Sequence, residues 1–198
     1  LFALLTIFLT SQAFAIEPIE LNNETYTGGD VGRHVEYIKD TENHYTIETI
    51  QKALPTEFIV SKKGTLAFGF TDATYWFRFI IKNPEIKPVS WFLHIGYSLL
   101  DDIRLYVPLP DEKFSIRKAG DIYPYNDREF DNQNFIFKLD ENPGTNTYYL
   151  RIKTSSSMSI PIQILNRQSL DSIITQDDFL NGILYGVLVF MLIYSLVV

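Results

Sequence analysis

Seven residues have the types needed to hold a polar ligand: Trp76, Arg78, Trp91, Tyr125, Arg128, Tyr149 and Arg151. Sugar recognition needs an aromatic plate for the apolar C–H face of the ring and charged or amide groups for its hydroxyls, with bidentate donors fixing orientation. Trp76 and Arg78 stand two apart in TDATYWFRFIIKN (71–83), so on a strand a flat apolar plate and a forked donor share one surface. Arg151 falls on the non-core side of its own alternating run. Three arginines would also suit a carboxylate-bearing ligand. The same residues admit a structural reading. Trp76 then covers a second hydrophobic layer, and Arg78, Arg128 and Arg151 form buried ion pairs with Asp101, Asp102 or Asp121 that fix strand register. Both readings stay open at this level.

Catalytic patterns are scarce. His34, His44 and His94 are widely separated, none sits at a zinc-binding spacing, and no GxSxG motif or nucleotide loop occurs. Asp101 and Asp102 point to opposite faces if they lie on a strand, which spoils them as a catalytic carboxylate pair. Asp121, Asn126, Asp127 and Asp131 share a loop, but their spacing matches no EF-hand, so a solvated loop is the reading. Gly28-Gly29-Asp30 opens like a diguanylate cyclase signature, yet Val31 and Gly32 follow where acidic and aromatic residues belong. We therefore expect this segment to be no enzyme and to use no metal or cofactor.

Composition narrows the partners. The 198 residues are 46% hydrophobic and 15% aromatic, enough for one domain with a substantial core. With 24 acidic against 17 basic residues and a net charge of −7, the surface repels nucleic acid and anionic headgroups. The absence of cysteine removes disulfides and thiolate chemistry, so an exported domain of this sequence holds together by packing alone.

The elements that must position the candidate residues are mostly strands. In 71–83, Phe77, Phe79 and Ile81 fall on one face and Trp76, Arg78 and Lys82 on the other, making this run the candidate centre of a sheet. Earlier, 16–21, 31–40, 58–60 and 66–70 read as extended, and Thr46 to Leu54 reads as the one helix of the soluble part, capped by Thr46 and ended by Pro55. Later runs alternate around Trp91, Leu93 and Ile95; Ile103, Leu105 and Val107; Phe135, Phe137 and Leu139; Tyr148, Leu150 and Ile152; and Ile160, Ile162 and Ile164. Short alternating runs separated by Pro, Gly, Asn and Asp clusters predict an all-β antiparallel β-sandwich, with Pro161 at an edge or bulge. The polar, aromatic stretch 120–134 has the character of a loop that rims a binding face.

The two ends predict a location. Residues 1–9 are uncharged and mostly apolar, and Ala13 and Ala15 form a small-x-small pattern, so 1–15 reads as a signal peptide whose first residues precede Leu1. Residues 180–198 carry no charge over a length near that of a bilayer core, and read as the start of a transmembrane helix of a longer protein. The expected organisation is a signal peptide (1–15), an extracytoplasmic sandwich (16–165), a linker (166–179) and a first, truncated membrane helix (180–198).

Several stretches together resemble one family. TDATYWFRFIIKNP, WFLHIGYSLLDDIRLYVP, AGDIYPYNDREF, NTYYLRIKTSSSMSIPIQI and GILYGVLVFMLIYSL are similar to the bacterial seven-transmembrane receptors with diverse intracellular signalling modules, the soluble part to their type 2 extracellular domain. The matching positions are Trp76, Arg78, Asp101, Pro124, Tyr125, Arg128, Leu150 and Arg151. The resemblance implies a jelly-roll sandwich like that of carbohydrate-binding modules in the periplasm, anchored in the inner membrane. It further implies seven helices and a cytoplasmic output such as a diguanylate cyclase or histidine kinase. The expected function is ligand sensing, with a carbohydrate or other small polar molecule as partner. The competing expectation is a structural or partner-binding domain whose same face docks another protein or a second copy, as a homodimer.

Overall fold

In the computed structural model, which describes residues 16–21, 31–111 and 113–197, the alternating run after Ala73 becomes the strand around which most others are arranged. Among the described residues the order is β1 (Ile19–Glu20), β2 (Val35–Asp40), α1 (Ile47–Ile50), β3 (Ile59–Val60), β4 (Leu66–Phe70), β5 (Thr74–Asn83), β6 (Val89–Ile95) and β7 (Asp102–Pro108). It continues with β8 (Phe114–Ala119), β9 (Phe135–Glu141), β10 (Gly144–Lys153), β11 (Ser157–Ile160), β12 (Ile162–Leu165) and α2 (Arg167–Val197). The segment expected to be a signal peptide lies outside the described residues.

The large sheet runs β3-β2-β5-β10-β7-β8, every neighbour antiparallel. β1 lies parallel to the end of β5 that β2 leaves, with Ile19 opposite Ile81 where Val35 is opposite Phe79. A three-stranded sheet, β12-β6-β9, and the ribbon β11-β4 accompany it. Phe77, Phe79 and Ile81 of β5 are fully buried in one core with Trp91, Leu93 and Ile95 of β6, Phe135, Phe137 and Leu139 of β9, and Ile162 and Ile164 of β12. Each such side chain removed from water stabilises the sandwich by about 1.5–3 kcal/mol. Tyr148 stacks on Phe79 at 5.4 Å, adding the offset-ring preference to plain burial. Pro161, which has no N–H to give a ladder, stands where the chain passes from β11 to the edge strand β12, and its carbonyl accepts the Gly96 N–H at 3.1 Å.

Three elements differ from the sequence expectation. The helix expected over 46–54 is α-helical only at Ile47–Ile50, followed by a 3-10 turn at Pro55–Glu57. Side chains take the backbone groups a longer helix would use: the Thr49 hydroxyl donates to the Thr46 carbonyl at 3.1 Å, and the Glu57 carboxylate accepts the Leu54 N–H at 2.9 Å. Leu54 is consequently exposed, and of the expected apolar face Ile50 alone is buried. β8 is a strand without an apolar inner face, because it closes the sheet edge. Arg117 points to the inner side there and donates to the Lys138 carbonyl, an inward charge of the kind that blocks edge pairing. Finally, the expected linker 166–179 is not a separate element. Asn166 caps α2 through the Ser169 N–H at 2.8 Å, no Gly or Pro interrupts the first turns, and one helix continues into the apolar run. Leu170, fully buried, joins Phe92, Ile136 and Leu165 on the outer face of the small sheet, with Phe130, Ile173 and Ile174 around it. α2 is the one helix among the described residues long and apolar enough to cross a membrane.

Among the described residues, Glu141 is a fully buried carboxyl with no Lys or Arg paired to it. Glu141 accepts hydrogen bonds from the Tyr148 hydroxyl and from Asn146 Nδ2 at 2.9 Å. Burial pushes its carboxyl up, and these bonds pull it back only in part. A carboxyl raised in the folded state contributes stability at acid pH that is lost as pH rises toward neutrality. Glu141→Gln is therefore expected to melt above the wild type at pH 7.5. The difference should close as pH falls through about 4.5, the ordinary value of the group, in thermal scans of both proteins.

Candidate ligand-binding face

The large sheet has a second face, turned away from the inter-sheet core, and strand register arranges it in rows. One row reads Glu36, Arg78, Tyr149, Tyr106 and Ile116 across β2, β5, β10, β7 and β8. The next reads Ile38, Trp76, Arg151, Arg104 and Lys118. Two aromatic rings and two guanidinium groups of the expected set, Trp76, Tyr149, Arg78 and Arg151, are thus neighbours on one surface.

That surface is covered. Trp76 is 1% exposed, stacks on Tyr106 with ring centroids 5.3 Å apart, and forms an apolar cluster with Ile38, Ile50, Phe58 and Tyr149. Its indole Nε1 is buried with no acceptor, which costs about 1–3 kcal/mol for an unsatisfied donor. Arg78 pairs with buried Glu36 while its guanidinium lies 3.9 Å over the Phe58 ring. Arg151 divides its fork, donating from Nη1 to Asp102 Oδ2 at 2.7 Å and from Nη2 to Asn43 Oδ1 at 2.8 Å. Asp102 Oδ1 accepts from Arg104 Nε at 3.1 Å and from the Tyr123 hydroxyl at 2.8 Å. Burial pushes the Asp102 carboxyl up, but the bonds from Arg104, Tyr123 and Arg151 outweigh it and hold the group below the usual carboxylate range.

At the Asp102 end of this face a cleft of about 360 Å³ opens between Asp72, Asp101, Asp102, Ile122, Lys153, Thr154 and Ser155. Asp101 accepts the Ser155 N–H and hydroxyl, both at 2.7 Å. Gly120 shapes the rim: its φ is +132°, and a Cβ there would lie 2.1 Å from the Asp101 carbonyl oxygen. This close approach starts the 120–134 loop, whose Asp121 N–H reaches the Leu100 carbonyl at 2.9 Å.

The other expected residues lie elsewhere. Trp91 is in the inter-sheet core, in phase with Leu93 and Ile95. Tyr125 and Arg128 form their own unit in the loop. Arg128 donates to the Asn132 and Gln133 carbonyls at 2.8 and 2.9 Å, sits 4.6 Å over the Tyr125 ring, and pairs with none of Asp101, Asp102 or Asp121. Tyr125 donates to Asp131 at 2.7 Å. Asp121 is exposed. Glu36, Asn43 and Tyr123 complete the network without a local sequence signal, since each is far in sequence from its partner. Arg104 and Tyr106 do carry one, being in phase on the non-core side of β7. Among the described residues no group of three His, Asp or Glu side chains could hold a metal. What the face offers chemically is stacking area beside forked cations.

Asp102→Asn leaves the Arg151 charge buried without its counter-ion. We expect it to destabilise the protein by about 3–5 kcal/mol at pH 7 in urea unfolding. Because the carboxyl is held low, the wild type's advantage is complete above about 3.8 and is lost as pH falls below it, so the two unfolding curves should converge in acid.

Comparison with known proteins places the chain. No curated protein matches it. Among solved structures, the GH31 α-xylosidase of Xanthomonas citri shares 12% identity over 67% of this chain, with a TM-score of 0.32, a likeness that carries no argument. This chain spans 13% of that enzyme's length. The model of the family described as 7TMR-DISM extracellular 2 matches residues 32–166, from before β2 to the cap of α2, which takes in every described strand but β1. This chain therefore belongs to the type 2 extracellular domains of the seven-transmembrane receptors with diverse intracellular signalling modules, and its sandwich is the extracytoplasmic domain of a membrane receptor.

Proposed function

We propose that the sandwich is the ligand-sensing part of an inner-membrane receptor, held in the periplasm, and that it binds a carbohydrate or another small polar ligand bearing a carboxylate. The observation that carries this reading is the convergence of Trp76, Arg78, Tyr149 and Arg151, with Tyr106 and Arg104, on one face beside an open cleft. Aromatic area next to guanidinium forks is what a sugar or sugar acid needs. The receptor's catalysis belongs to a cytoplasmic output module, such as a diguanylate cyclase or histidine kinase, and this segment performs none.

The signal leaves through α2. Its root is held by Leu170 against Phe92, Ile136 and Leu165, and the 120–134 loop touches both ends of the path. Tyr123 donates to Asp102 on the sensing face, and Phe130 meets Phe92 edge-on at 5.6 Å beside the helix root. A change at Asp102 is thereby transmitted to the packing of α2 through one short loop.

Two measurements test this. In thermal shift of the full chain in detergent against sugars, sugar acids and amino acids, a ligand at a hundredfold excess over its Kd should raise the midpoint by about 5–10 °C. Arg78→Ala should abolish the rise; silence across the whole panel would move the function to protein contacts. In the intact receptor, a flexible Gly/Ser insertion between Leu165 and Arg167 should uncouple output from ligand while leaving binding unchanged, and unaltered signalling would refute the route through α2.

A further inference from the structure

The covering of the sensing face is weakly built. Residues 41–58 cross it as a strap whose one α-helix, α1, has four residues, far below the length at which a helix sustains itself. Only Ile50 and Phe58 of the strap are buried. Tyr45, Ile47 and Ala53 pack only partly buried against the same cluster, and the strap's hydrogen bonds to the sheet sit at one end. The Asp40 carboxylate accepts the N–H groups of His44 and Tyr45, each at 3.0 Å, and Asn43 Oδ1 accepts from Arg151 Nη2 and from the Thr74 hydroxyl, each at 2.8 Å. Asn43 adopts φ +57°, the left-handed region, in making these bonds. The strap therefore satisfies Arg151 but leaves the Trp76 Nε1 beneath it with no acceptor.

We propose that the strap is a lid latched by Asn43 on Arg151, and that a ligand carrying both a carboxylate and a flat C–H face opens it by taking Asn43's place at Arg151 Nη2. The proposal rests on the reading of this face as the ligand site and adds how the site is gated. A carboxylate is a stronger partner for a guanidinium than the neutral Asn43 amide, so the exchange runs in the ligand's favour. Asp102 keeps its hold on Nη1 throughout, so the buried cation is never without a counter-ion. With the lid raised, the stacked Trp76 and Tyr106 rings offer their faces, and a ligand hydroxyl supplies the acceptor that Nε1 lacks. Closure of the lid lowers apparent affinity in proportion to the closed fraction.

Asn43→Gly tests the latch, because glycine keeps the left-handed backbone and removes only the side-chain acceptor. The full chain in lipid nanodiscs is compared with this variant by hydrogen exchange and by calorimetry with glucuronate, glucose serving as the probe without a carboxylate. Exchange across 41–58 should quicken about tenfold with β5 and β10 unchanged. Glucuronate should bind the variant about threefold or more tightly than the wild type, and both proteins should prefer it to glucose. Unchanged exchange in the strap overturns the latch whether or not glucuronate binds. Quickened exchange in β5 as well makes Asn43 a structural residue and overturns it too. Equal glucuronate affinity in the two proteins overturns the lid while leaving the outer-face site standing. Glucuronate binding to neither protein, with a loosened strap, overturns the displacement step and the outer-face reading together.

Discussion

The Asp102 carboxylate is where separate parts of the chain meet. Its two oxygens receive Arg104 from the same strand, Arg151 from β10 and Tyr123 from the 120–134 loop, and through Arg151 it is joined to Asn43 of the strap and Thr74 of β5. Taking a carboxylate and a guanidinium out of water is expensive, and their attraction offsets the cost only when the remaining lone pairs and protons are also used. Here three donors reach Asp102 and two acceptors reach Arg151. The geometry of the outer face follows from that requirement, because moving any one partner leaves a buried charge under-satisfied.

This explains why a polar network sits on the sheet face away from the core while the aromatic core lies on the other. Between the sheets, Phe77, Phe79, Trp91, Phe135 and Phe137 are held by non-directional burial, which tolerates small shifts. On the outer face, hydrogen-bond directions set the positions of Arg78 and Arg151, and shifts there are costly. The molecule thus combines a stiff polar layer with a packed apolar one, and the layer facing outward is the one on which the proposed ligand would act.

Alternation made the sandwich legible: the phase of Phe77, Phe79 and Ile81, repeated in the runs around Leu93, Leu105, Phe137 and Leu150, is the phase of the core. The same rule assigns Trp91 to the interior, and its residue type does not override its phase with Leu93 and Ile95. What alternation does not carry is partnership across distance. Arg78 finds Glu36 42 residues away and Arg151 finds Asn43 108 residues away, and nothing local in either stretch announces the other. β8 was illegible for another reason: in FSIRKA only Phe114 and Ile116 alternate, they lie on the outer face, and the inner side carries Ser115 and Arg117. The end of α1 was lost because Thr49 and Glu57 side chains compete for the backbone groups that periodicity assumes are free.

Because α2 runs unbroken from Arg167 and is pinned at Leu170, the sandwich fixes not only where the helix starts but its rotational phase about its own axis. Each residue of an α-helix advances that phase by about 100°. In the proposed receptor, the side of α2 turned toward neighbouring helices in the bilayer would therefore be set by counting residues from Leu170. A single-residue insertion or deletion between the sandwich and the apolar run would turn that side through more than a quarter circle without altering any contact within the sensor. Grafts between receptors of this family would accordingly have to preserve the residue count across this joint, modulo whole helical turns, to keep sensor and membrane bundle in register.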